Sequence, residues 1–164
     1  MDPEVTPMKI SKPHRWWLAG GIAALAITAA VALPLRQASS ALPQVVVYKS
    51  PSCGCCGAWV EHMRDNGFEV VTRNVNDMTP IKTEHGVHPQ LASCHTAVVD
   101  GYVVEGHVPA ADVKALLEQR PQVTGLSVPG MPLGSPGMEQ DGITQPYDVV
   151  AFDKQGVRVF NSYR

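Results

Sequence analysis

The sequence predicts an α/β fold, and three observations carry the prediction. The β-branched run Val45-Val46-Val47-Tyr48 passes through a polar turn into Ala58-Trp59-Val60-Glu61-His62-Met63, which reads as strand, loop and helix. A second alternating run over residues 68–75 follows at once, so this part of the chain starts β-α-β. Two further β-branched runs, 96–99 and 102–105, flank Asp100-Gly101, the signature of a tight type I′ hairpin.

Taken in order, the first strand covers 43–48 and the first helix about 55–66, where Asn66-Gly67 supplies a C-terminal stop. The β-α-β order implies a right-handed crossover and a parallel pair, which sets the turn at 52–57 at the carboxyl end of the first strand, where α/β sheets place their sites. Thr79-Pro80 predicts a short helix within 76–87. After the hairpin, Val113, Leu116 and Leu117 recur at helical spacing within 109–120. Residues 121–146 are rich in Gly, Pro, Ser and Met and are expected to form a long loop with no regular element. Runs 147–152 and 157–163 predict a terminal hairpin that extends the sheet or packs beside it.

Residues 1–41 are set apart from this domain of 42–164. Lys9, Lys12 and Arg15 precede an uncharged apolar run from Trp16 to Leu35, and Ser39 and Ala41 offer a small-residue cleavage site. At about 20 residues the run suits either a cleaved signal or a retained transmembrane anchor. Both readings put the domain in the periplasm, because the basic flank stays inside. The net charge of −2 and the lack of a basic block interleaved with aromatics argue against nucleic acid as a partner. Contact with a membrane is expected only through an uncleaved N-terminal segment.

Three of the four cysteines, Cys53, Cys55 and Cys56, crowd the turn before the first helix, and Cys94 is the fourth. A helix start favours thiolate over thiol, and thiolate is both nucleophile and metal ligand. Cys53 and Cys56 are spaced as a redox-active dithiol, while Cys55 would face elsewhere on a continuous helix. The order β-α-β-α-β-β-α with a Cys-rich turn resembles the thioredoxin-like fold in its small glutaredoxin-type form. That resemblance implies that Ser93-Cys94-His95-Thr96 and Gly106-His107 lie against the cysteine turn. Pro89 is too distant from Thr96 to be the cis-proline usual there, so Cys94 and His95 stand in its place.

Soft thiolates and thioethers select Cu(I). Copper is therefore the expected metal, with Cys53, Cys55, Cys56 and Cys94 as principal ligands and His107, His95, Met131 and Met138 as further candidates. Three or four thiolates plus imidazole suit more than one ion with bridging sulfurs. A structural disulfide with a spare thiol ranks below the metal reading, because disulfide geometry resists such crowding. Cys94 bridged to one of the other three is a second alternative. His62 reads as a surface or packing residue. His85 and His88 would share a metal only if helical, which Gly86 and Pro89 oppose.

Five stretches occur in order: Tyr48 to Cys56, Pro89 to Thr96, Glu105-Gly106-His107-Val108-Pro109, Gly125-Leu126 with Val128 to Met138, and Tyr147-Asp148-Val149. In these the segment resembles the periplasmic CopG-like family found with copper-resistance systems. The resemblance implies a thioredoxin-like domain binding a copper cluster, with a role in copper handling or Cu(I)/Cu(II) redox change. No residue is assigned a catalytic role; whether the chain is a copper oxidoreductase is left open by the sequence. Two other functions compete: a metal-free thiol-disulfide oxidoreductase using Cys53 and Cys56, and a chaperone delivering copper to an exporter or another periplasmic copper-handling protein.

Overall fold

The computed structural model describes residues 41–164, in which β1 (Val45–Lys49), α1 (Gly54–Asp65), β2 (Val70–Asn74), α2 (Thr79–Glu84), β3 (His95–Val99), β4 (Tyr102–Glu105), α3 (Ala110–Gln119), β5 (Gly125–Ser127), β6 (Tyr147–Asp153) and β7 (Gly156–Tyr163) follow in order. A single 3-10 turn, Pro89–Leu91, precedes β3. The expected signal or anchor over residues 1–41 lies, but for Ala41, outside the described residues. Among the described residues, no helix is long and apolar enough to cross a membrane.

The strands form one mixed seven-stranded sheet in the order β2-β1-β3-β4-β5-β6-β7. The expected parallel β1–β2 pair is present, and β3 runs antiparallel to β1 with His95 opposite Lys49. That register brings the start of β3 to the carboxyl end of β1, beside the cysteine turn. Asp100 and Gly101 both have positive φ, 47° and 84°, as the β3–β4 turn requires. The terminal hairpin extends the sheet through β6, which pairs with β5.

The expectation of no regular element between 121 and 146 is corrected by β5, which pairs parallel to β4 with Leu126 opposite Val104. Three residues are too few to show a period of two, and their pairing partner is supplied by tertiary structure. All three are buried. Gly125 suits this close approach, since a Cβ there would lie 1.8 Å from the Val103 carbonyl oxygen.

Alternation along the strands divides the interior. Val45, Val47, Ala97, Val99, Val104, Leu126, Val149 and Ala151 pack with Trp59, Val60 and Met63 of α1 and with Val113 and Leu116 of α3. Val103 and Phe152 point the other way, toward Val87 and Leu91. The terminal hairpin is tied to α3 as well. Tyr163 donates its hydroxyl to Asp112 Oδ2 at 2.7 Å, and Asn161 Nδ2 donates to Oδ1 at 2.8 Å.

His62 is a packing residue with a specific task. Its Nε2 accepts the Ala110 backbone N–H at 3.0 Å, satisfying a donor at the start of α3 where Pro109 has no capping side chain. Burial lowers its pKa from 6.5 against the opposing pull of Glu139 and Asp65, with Lys114 adding a smaller lowering. A histidine depressed in the folded state stabilises the fold above its unfolded pKa, and that contribution is lost as pH falls below 6.5 toward the folded value. The urea midpoint of the metal-free protein is therefore expected to fall between pH 7.5 and 5.5. His62→Gln should flatten part of that slope, and an unchanged slope would refute the assignment.

Candidate metal centre

Cys53 is the N-cap of α1, with extended φ −77° and ψ 100°, and its Sγ accepts the Cys56 N–H at 3.4 Å. The helix thus starts one residue earlier than expected, and Cys53 stands outside it. This placement corrects the orientation expected for Cys55: its Sγ lies 3.5 Å from Cys53 Sγ and 3.9 Å from Cys94 Sγ. A helical wheel separates Cys53 from Cys55 only if both are helical.

Cys53 and Cys56 are joined by a disulfide, with Cα atoms 5.4 Å apart. One turn of chain places the two residues within bridging range, so crowding by the third thiol does not prevent the bond that the sequence reading ranked below metal ligation. Cys55 and Cys94 are free thiols, both partly exposed, whereas Cys56 is fully buried.

The imidazoles approach from the sheet side. His107 follows β4 by way of Gly106, whose N–H bonds the His95 carbonyl at 3.0 Å. His107 Nδ1 lies 2.8 Å from the Pro136 carbonyl oxygen, and Nε2 lies 3.0 Å from Cys94 Sγ. A carbonyl only accepts, so Nδ1 carries the proton and the neutral ring presents the Nε2 lone pair to Cys94. Burial lowers the His107 pKa, which keeps the ring neutral.

His95 Nδ1 is 3.4 Å from the same sulfur. The His95 ring sits 4.5 Å from the Trp59 ring and edge-on to His107 at 5.1 Å. Burial, followed by His107 and Lys82, drives its pKa well below 6.5. Its Nε2 is buried without a hydrogen-bond partner, a costly state for a polar atom in a protein interior. Two neutral imidazoles beside thiols form a donor set that suits a soft or borderline metal ion such as copper. Burial also pushes the Cys94 thiol up to about 12, with Cys55 adding to the shift; a metal ion entering here displaces that proton.

Among the described residues, two sets of donor atoms fall within 4.8 Å of one another: Cys53, Cys55, Cys56 and Cys94, and separately Cys94, His95 and His107. Cys94 is the shared member. Met131 and Met138 line a groove of about 410 Å³ that reaches Cys55 and Gly54. Met131 is 52% exposed. The groove wall rests on α1 through Gly137, where φ is +85° and a Cβ would come within 2.7 Å of Trp59 N and 2.8 Å of Cys55 O. His85 and His88 line a different cavity on the Val103 side and do not approach the sulfurs.

Glu105 is the residue that the sequence reading missed as part of this arrangement. Its fully buried carboxylate accepts from Lys82 Nζ at 2.5 Å, Ser93 N at 2.6 Å and Thr96 Oγ1 at 2.7 Å. It therefore grips the residues on either side of the Cys94-His95 pair. The available signals were an acidic residue at the end of a β-branched strand, two before His107, and its place in one of the family-matching stretches. Ser93 Oγ also donates to the Gly130 carbonyl, tying this segment to the long loop.

A family model described as a protein of unknown function, DUF411, matches residues 91–138. Two solved structures titled copper resistance protein CopG resemble the chain at 42% identity. Form 2 aligns with a TM-score of 0.72 over 75% of this chain and 99% of that one. Form 1 aligns with a TM-score of 0.71 over 74% and 98%. No curated protein matches the chain.

Proposed function

The chain belongs to the CopG-like family of copper-resistance proteins, and from that premise we propose that it holds Cu(I) in a multinuclear thiolate cluster, conferring resistance by sequestration. The observation that carries this reading is the sharing of Cys94 between a four-sulfur set and a sulfur-imidazole set, since a thiolate common to two sets can bridge two ions. With the disulfide reduced, Cys53, Cys55, Cys56 and Cys94 supply soft donors, and His107 and His95 supply neutral nitrogen. Met131 and Met138 flank the approach as thioether donors. The β2-β1-β3-β4 portion with α1 and α3 is read as a thioredoxin-like core to which β5, β6 and β7 add. The periplasm is the proposed location, with residues 1–41 as signal or anchor.

Anaerobic titration of the reduced protein with Cu(I) against a chromophoric chelator tests the reading. Saturation above one copper per chain, silent in electron spin resonance, is expected. Saturation at one copper would remove the multinuclear cluster, and failure to compete with the chelator would remove tight copper binding altogether.

The Cys53–Cys56 disulfide favours a second reading, a metal-free thiol-disulfide oxidoreductase. Cys53, partly exposed at the helix start, would be the attacking sulfur and buried Cys56 the resolving one. Rapid insulin reduction by copper-free protein would favour this reading over storage. A Cu(I)/Cu(II) redox role rests on the same cysteines and would show as reversible gain and loss of the Cu(II) resonance signal. Delivery to an exporter or another periplasmic carrier would show as copper transfer that depends on that partner.

A further inference from the structure

We infer that the copper site has two tiers: a seat of Cys94, His95 and His107 that remains competent while Cys53 and Cys56 are bridged, and additional capacity on the four cysteines that opens only when the bridge is reduced. This inference rests on the copper-holding reading and adds a redox control to it. The disulfide removes two of the four sulfurs, yet it leaves the other two as free thiols. Those two sulfurs are 3.9 Å apart. Cys94 also belongs to a donor set that holds neither bridged cysteine, with His95 and His107. His107 Nε2 is 3.0 Å from Cys94 Sγ, its lone pair directed there by the Nδ1–H bond to Pro136 O, and His95 Nδ1 is 3.4 Å from the same sulfur. A thiolate about 2.3 Å and an imidazole nitrogen about 2.0 Å from one ion, and about 120° apart around it, are separated by about 3.7 Å, so replacing the thiol proton by a metal ion opens these contacts by less than about 1 Å. Cys55 stands beside this seat and belongs to the four-sulfur tier.

The gating step is a balanced thiol-disulfide exchange whose co-reactant is a thiol or dithiol reductant. Its thiolate attacks Cys53 Sγ, the partly exposed member of the bridge, and forms a mixed disulfide. The bridge bond breaks and Cys56 leaves as a thiolate in the first turn of α1, where the helix terminus stabilises negative charge. A second reductant thiolate then attacks the reductant sulfur of the mixed disulfide, releasing Cys53 and the reductant's own disulfide. Two electrons and two protons pass to the pair, which becomes available for copper.

The test compares the full chain with the bridge intact, verified by mass before and after titration, and the same chain fully reduced, each titrated anaerobically with Cu(I). The bridged form is expected to bind one Cu(I) with an X-ray absorption shell of one or two sulfurs and one or two nitrogens. The reduced form is expected to bind more. The double variant Cys53→Ser/Cys56→Ser should bind one with or without thiol reductant. A bridged form that binds none, or as many as the reduced form, would overturn the two-tier site even if the reduced protein fills a cluster. Absence of tight binding to the reduced form would instead overturn the copper-holding reading itself.

Discussion

Cys94→Ser is expected to weaken Cu(I) binding by at least about 100-fold, more than any other single cysteine substitution in this chain. Loss of a partner that merely orients a ligand typically costs 10- to 100-fold, and Cys94 is proposed as a ligand common to two donor sets. Cys53, Cys55 and Cys56 belong to only one of them. Serine preserves the shape and a hydroxyl for the His107 Nε2 contact, so the fold should survive with a stability change within about 1 kcal/mol. Competition against a Cu(I) chelator reads the affinity, and a chemical melt of the metal-free variant checks the fold. Affinity equal to that of the Cys55→Ser variant would show that Cys94 has no shared role.

Glu105→Ala should cost about 3 kcal/mol of stability, at the lower end of what breaking a buried ion pair costs, because Lys82 is 15% exposed and recovers some hydration. The variant also leaves the Ser93 N–H and the buried Thr96 hydroxyl without their acceptor. Glu105→Gln retains an acceptor and should lose less. Combining it with Lys82→Met should recover part of that loss if the charge pair accounts for it. Urea unfolding of the reduced, metal-free protein measures these differences. The same carboxylate positions Cys94 through Ser93, so Glu105→Gln is expected to weaken Cu(I) binding by about 10-fold or more. A destabilised variant with undiminished copper affinity would confine Glu105 to the fold.

The parts of the fold legible in the sequence were those written in local chemistry. The Asp100-Gly101 turn, the stop at Asn66-Gly67 and the β-branched run into the cysteine turn each specify their element within a few residues. β5 was not legible because its pairing comes from β4 and β6, while its three residues stand among helix and strand breakers. The site divides the same way. The proximity of Cys94 and His107 to the cysteine turn was implied by the resemblance to the thioredoxin-like fold, whereas the direction of Cys55 depended on Cys53 being a cap and not a helical residue. The role of Glu105 was hidden because its three partners come from α2, the segment before β3, and β3 itself. No local pattern announces such a convergence.

The bond from His107 Nδ1 to the Pro136 carbonyl makes the long loop more tolerant of rewriting than of resizing. Every residue type offers a backbone carbonyl, so substitution at 136 leaves the acceptor in the chain. A one-residue deletion between Gly130, which is held by Ser93, and Gly137, which is seated on α1, would carry that oxygen out of register. The imidazole would then be free to exchange tautomers, and the nitrogen facing Cys94 would no longer be fixed. For anyone grafting this site into another scaffold, the spacing of the 130–137 segment is therefore as much a part of the design as the cysteines.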